Sequence, residues 1–287
     1  MTLARLLPAA ISMQTVHRPS DLPELYHREA RPLVRIDQQT PAASKHVTRR
    51  GSVEYQISSP AFPRGVWGRE DFTLTRHANG DRVLRAFCEL DDEPSLIRDV
   101  IQRVDAGFHP QDCMVRLTEG GVFKGSTWYH ITDDEIYFQG LTSEEGRISG
   151  QLDIDRTIRG FGTHALNSDA WLVARFDRSQ GPRQHTFYNS PLTSLDHRGA
   201  TGPALVCSQG TTIEYFGEES ITVRAGTFEC HHFAYVVVAT DHPEYHLWVT
   251  TDGDFVFVKG IVEAPYHWSF ELTELADTAS QHRPTQS

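Results

Sequence analysis

The feature that most constrains this chain is strict alternation. Between positions 266 and 273, Tyr266, Trp268, Phe270 and Leu272 interleave with His267, Ser269, Glu271 and Thr273. Successive side chains of a strand point to opposite faces, so such a stretch has one apolar and one polar face as a strand and none as a helix. Val53, Tyr55 and Ile57 repeat the pattern. Elsewhere it recurs between turn signals. Asn79-Gly80 lies between residues 71–76 and 82–90, a two-residue hairpin signature. Glu119 to Val122 separates residues 113–117 from 125–131, and Asp133-Asp134 precedes 135–139. Further strands are expected at 146–154, 170–176, 184–188, 211–216, 220–223, 227–239, 245–250, 255–259 and 265–275, with Asp252-Gly253 as a hairpin turn.

One segment reads as helix. After Asp91 to Pro94, Leu96, Val100 and Val104 stand four apart with Ile97 and Ile101 beside them, and Gly107 suits a helix end. Arg98-Asp99 then falls opposite that stripe as a solvated ion pair. A short helix is also expected from Ser20, with Pro23 in its first turn. The fold class is therefore all-β with one or two short helices: an antiparallel up-and-down β-barrel, or a strongly curled sheet, enclosing a cavity. Residues 1–48 read as an N-terminal arm, 49–275 as a single barrel-like domain and 276–287 as a frayed tail.

Charge and composition narrow the partners. A net charge of −11 argues against nucleic acid and against an anionic membrane surface. No apolar run approaches the roughly 18 residues that span a bilayer, so no membrane insertion is expected. Met1 to Ser12 has a single positive charge and an apolar stretch broken by Pro8, a poor signal peptide, which points to the cytoplasm. Cys88, Cys113, Cys207 and Cys230 form no C-x-x-C pair and read as buried free thiols. Nucleotide-binding glycine motifs and a nucleophile elbow are missing from the sequence.

The run Val223-Arg224-Ala225-Gly226-Thr227-Phe228, followed by Leu247-Trp248-Val249 and by residues 254–259, resembles the end of an uncharacterised bacterial all-β family. The likeness covers roughly residues 211–275, and it implies a lipoprotein-carrier-like, half-open barrel. It further implies that Gly226 serves a turn and Trp248 the core. The family has no established chemistry to transfer.

Histidine is abundant, with 15 residues. A cavity lined by aromatics could hold a hydrophobic molecule while a His or Tyr moves a proton. The catalytic candidates are His232, His246, His267, Tyr129 and His164, with Asp169 and Asp196 available to orient an imidazole. The ligand-binding candidates are Trp128, Tyr188, Tyr235, Trp248, Phe257 and Trp268. No metal site is expected: His267 and Glu271 lie about 13 Å apart on one strand, and His231 and His232 face opposite ways. No cofactor is expected either. The leading expectation is binding of a hydrophobic small molecule with cofactor-independent acid–base chemistry of isomerase, cyclase, lyase or hydrolase type. The alternative is a carrier or sensor for a lipid-like ligand, with histidines outside an apolar wall. A third is a partner-binding domain with a filled core. An exposed sheet edge would allow a homodimer.

Overall fold

The computed structural model describes residues 46–278 apart from 60–61, 155–159, 189, 209, 239–242 and 264–265. The helix expected from Ser20 lies outside the described residues. Strands β1 (Val47–Ser59), β2 (Phe62–Arg76), β3 (Arg82–Leu90), β4 (Leu96–Val104), β5 (Pro110–Glu119), β6 (Val122–Ile131), β7 (Glu135–Thr142) and β8 (Gly146–Asp153) form a meander. Each pairs antiparallel with the next. After β9 (Arg183–Phe187), β10 (Ser190–Leu192) and β11 (Val206–Ser208), a second meander comprises β12 (Thr211–Val223), β13 (Gly226–Val238), β14 (Tyr245–Thr250), β15 (Phe257–Val262) and β16 (Trp268–Thr278). β1 pairs with both β2 and β16, which fuses the meanders into one 14-stranded sheet running from β8 to β9. The sheet curls but does not close, because β8 and β9 each have a single neighbour. The tail expected from residue 276 is still strand there: Ala276 and Asp277 pair with Arg50 and Arg49.

Turn chemistry falls where the sequence places it. Gly120 and Gly121, with φ of 56° and 78°, form a two-residue hairpin turn between Glu119 and Val122. Gly80 and Gly253, with φ of 90° and 86°, sit in longer connections, residues 77–81 and 251–256, so the two-residue turn expected at Asn79-Gly80 is corrected to a five-residue loop. The four cysteines are free; Cys88, Cys113 and Cys230 are buried and Cys207 half-buried.

Two expectations about helices are corrected. Residues 96–104 form β4, whose inward positions are Leu96, Arg98, Val100, Gln102 and Val104. Residues four apart share a face of a strand as well as of a helix, so the apolar spacing fits both. The buried polar Arg98 and Gln102 interrupted the period-two signal. Arg98 is accordingly no surface ion-pair member; Asp99, outward, lies 3.7 Å from Arg116. Conversely, residues 170–176, expected as strand, belong largely to the helix α1 (Leu166–Ala174). Leu166, Asn167, Ser168, Ala170, Trp171, Val173 and Ala174 are all buried, so α1 lacks the polar face that reveals a surface helix.

The helix lies within the curl of the sheet. Trp171 Nε1 donates to Asp254 O at 3.2 Å, and the Tyr235 hydroxyl donates to Asp169 O at 3.0 Å. Phe108 packs edge-on against Trp171 with ring centres 6.0 Å apart. Strands from both meanders thus grip one helix, and the inner faces of both belong to one continuous core.

Candidate functional site

The site begins with how α1 is capped. Ala165, at the N-cap, has no side-chain acceptor for the helix's first amides. Glu70, fully buried on β2, supplies it: Oε2 accepts Leu166 N at 2.6 Å, and Oε1 accepts Asn167 N at 3.2 Å and Asn167 Nδ2 at 2.8 Å. Asn167 Oδ1 in turn accepts Phe257 N at 3.1 Å, which ties the helix to β15. Burial pushes the Glu70 carboxyl above its ordinary value although these donors pull the other way.

Asp169, in the first turn of the capped helix, lies in the wall of a half-open cavity. Two adjoining lobes share His164, Asp169, His197 and Tyr245 in their walls. Aromatic and aliphatic side chains dominate both. Tyr55, Trp67, Trp268 and Phe270 line the smaller lobe, and Leu172, Phe187, Ile213 and Tyr235 the larger. Trp67 stacks on Trp268 with ring centres 5.0 Å apart, and His197 stacks on Trp268 at 5.6 Å.

The polar groups at the junction have separable roles. Asp169 is pushed up to about 8, mainly by burial and then by the nearby Glu70 charge, against the pull of Arg98. Its remaining accessible surface opens on the cavity, so at neutral pH it presents a protonated carboxyl there. His164 has φ of 60°, a conformation costing a non-glycine residue about 1–2 kcal/mol. It is held there by two contacts: Arg98 Nη1 donates to its carbonyl at 2.9 Å, and its Nε2 lies 3.0 Å from Ser194 O. A carbonyl only accepts, so His164 Nε2 carries the proton. Arg98 also donates to Arg198 O, and Arg198 Nη1 meets Asp92 Oδ2 at 3.1 Å. A Cβ on Gly199 would meet the Arg98 guanidinium at 2.2 Å, so the strap over the arginine needs glycine at this point. Asp196 stays inside that strap. Burial raises its carboxyl, but amide donors from Ala200 and Arg198 together with the Arg198 charge outweigh it and hold it below its usual value.

Of the candidate residues, His164, Tyr235 and Trp268 line the cavity, together with Asp169. The others lie elsewhere. Tyr129 is buried beyond the cavity lining and donates to Ala204 O at 3.0 Å, and Phe257 is buried in the core. Trp128 and Tyr188 are exposed, and His267 occupies an exposed turn with φ of 53°. His232, His246 and Trp248 share the outer face of the sheet, opposite the one that His231, Phe233 and Tyr235 present to the core. The expectation that these three face the cavity is thereby corrected: in an alternating strand the inward set is decided by register, and here His231 took the inward place. Burial, then the Arg178 charge, hold His231 below the usual imidazole value. Glu70, Arg98, His197, Tyr245, Tyr55 and Trp67 were not singled out as site residues. Polar residues at inward positions of β2 and β4 were the only sequence signal for the first two.

No protein-family model matches the sequence, and no curated protein matches it. Among solved structures, the chain is similar to a β-barrel-like protein of a domain of unknown function, DUF1849, from Brucella abortus. The TM-score is 0.50 at 10% identity, over 80% of this chain and 97% of that one. A DUF1089 family protein from Pseudomonas aeruginosa gives a TM-score of 0.39 at 8% identity, over 70% of this chain and 92% of that one. The first likeness establishes the β-barrel-like fold and carries no activity. Among the described residues no helix is long and apolar enough to cross a membrane.

Proposed function

We propose that the protein binds a hydrophobic small molecule bearing one polar group, with its apolar body in the aromatic lobes and the polar group at their junction. The observation that carries this reading is the junction itself: His164, Asp169, His197 and Tyr245 converge where two apolar lobes meet. Concave, mostly apolar sites with a few convergent polar groups are the usual form of small-molecule sites. A carboxyl that titrates near 8 donates a hydrogen bond to a ligand oxygen at neutral pH and can exchange its proton there. That property favours acid–base chemistry on the bound molecule, with Asp169 in place of the outward histidines. A carrier needs only the lobes.

Displacement of N-phenyl-1-naphthylamine, an apolar fluorescent probe, tests the binding reading. Ile213→Trp and Leu195→Trp fill the larger lobe and are expected to weaken probe binding at least tenfold while the near-ultraviolet circular dichroism stays native. Unchanged affinity in both folded variants overturns the proposal. Organic extraction of protein purified from its host supplies candidate ligands. Asp169→Asn then separates the two modes: loss of turnover with retained binding marks an enzyme, and no turnover in the wild type marks a carrier.

A further inference from the structure

Among the described residues two arginines are buried, Arg82 and Arg98, and they differ in what they face. Arg82 Nε meets the Asp254 carboxylate at 3.2 Å. Arg98 is 3% exposed, and among the described residues no carboxylate lies within 4.0 Å of its guanidinium. Its hydrogen bonds go to two carbonyls, His164 O at 2.9 Å and Arg198 O. Carbonyls satisfy two of the five N–H donors of a guanidinium but bring no counter-charge. Burying a charge without one is costly, which is why buried charges are normally paired.

Register sets the position of this cation. β4 pairs Arg98 with Cys88 of β3 on the inward face, and both residues form part of the smaller lobe's wall. The carboxylates around it are committed elsewhere. Glu70 gives its two oxygens to Leu166 N, Asn167 N and Asn167 Nδ2. Asp92 accepts Trp67 Nε1 at 2.7 Å and Arg198 Nη1 at 3.1 Å, so Arg198, the other arginine of that wall, is paired. The acids of the wall itself are kept neutral, mainly by burial. Asp169 is pushed up to about 8, and the Cys88 thiol and the Tyr55 and Tyr245 phenols stand well above their ordinary values. The smaller lobe therefore presents a positive charge that no carboxylate in its wall offsets, although the chain as a whole carries −11.

We infer that the polar group of the ligand is a carboxylate, paired with Arg98 while the apolar body of the molecule lies against Trp67, Trp268 and Phe270. The inference rests on the reading of the two lobes as a binding cavity, and it assigns the class of molecule: a hydrophobic carboxylic acid. A guanidinium is planar and donates in parallel pairs that match the two oxygens of a carboxylate. Its single charge balances a monoanion and leaves the second charge of a phosphate unmet. Asp169 feels the Arg98 charge, and its neutral carboxyl offers the bound carboxylate an O–H donor where an ionised one would repel it.

The test is competition against N-phenyl-1-naphthylamine on the full chain at pH 7, with ligands that share one alkyl chain: decanoate, decanol, decylamine and decyl phosphate. Decanoate is expected to displace the probe at concentrations at least tenfold below those of decanol or decylamine. In Arg98→Gln the ratio of decanoate to decanol affinity is expected to fall to about one, with Arg98→Lys, which keeps the charge, in between. The order of the ligands on the wild-type chain decides the matter even where Arg98→Gln does not fold. Displacement by decanoate no better than by decanol overturns the inference and leaves the apolar cavity standing. An unchanged ratio in folded Arg98→Gln overturns it as well, and decyl phosphate binding more tightly than decanoate overturns the carboxylate assignment. Failure of the probe and of every ligand to bind overturns the cavity reading itself, and the inference with it.

Discussion

Asp169 and Glu70 are carboxyls whose folded environment favours the protonated form, Asp169 up to about 8 and Glu70 in the same direction, burial being the main cause for both. The folded state therefore binds protons more tightly than the unfolded chain between the ordinary carboxylate range and about 8. Stability from these groups is complete at low pH within that window and is lost as pH rises through it, by at most about 1.4 kcal/mol per pH unit for each titrating group. Urea denaturation from pH 5 to 8.5 should show this decline, and Asp169→Asn should flatten it. A ligand that accepts a hydrogen bond from Asp169 should bind more weakly above pH 8. Arg98 acts at the same scale through its two carbonyl partners. Arg98→Met leaves His164 O and Arg198 O without their donor, and is expected to destabilise by about 1–3 kcal/mol, read as a lower urea midpoint.

At the scale of elements, α1 depends on acceptors and donors from strands distant in sequence. Glu70 stands 96 and 97 positions from the amides it accepts, and Phe257 stands 90 from Asn167. Asn167→Ala removes the two side-chain contacts, to Glu70 and to Phe257 N, from a buried position and is expected to cost about 2 kcal/mol, with α1 amides exchanging faster with deuterium than those of β3. The long-range nature of these contacts explains why α1 was hidden. Its apolar residues surround the axis, and its cap comes from another strand, so neither periodicity nor a local capping residue announced it. β4 failed for the complementary reason: Arg98 and Gln102 occupy inward positions and donate to carbonyls of the segment leading into α1 and of the loop at Arg198, Gln102 Nε2 reaching Phe161 O at 3.0 Å.

Across the whole molecule, β1 joins the two meanders, and one end of that seam is tied by Asp254. This buried carboxylate meets Arg76 Nη1 at 3.0 Å, Arg82 Nε at 3.2 Å and Arg49 Nη1 at 3.4 Å, joining β1, β2 and β3 to the β14–β15 turn. Arg82 is itself buried, so removing its partner strands a cation. Asp254→Asn is expected to destabilise the whole fold by about 3 kcal/mol, seen as one cooperative shift by circular dichroism and tryptophan fluorescence together. The open ends at β8 and β9 and the helix inside the curl leave room for the two lobes at the junction.

Local chemistry determined most of the scaffold. Alternation in 266–273, Asn79-Gly80, Gly120-Gly121 and Asp252-Gly253 specified antiparallel strands and their turns, because strand pleat and left-handed turn residues act over a few positions. Residue type alone did not single out the cavity wall: Tyr235, Trp268 and His164 line it, but the other candidates chosen on the same ground lie elsewhere. Only the tertiary structure decided that His231, not His232, turns inward, that β4 is a strand, and that Glu70, Arg98 and Asp169 meet. Each of those outcomes depends on register or burial, which are set by contacts across as many as a hundred residues of chain and leave no local mark.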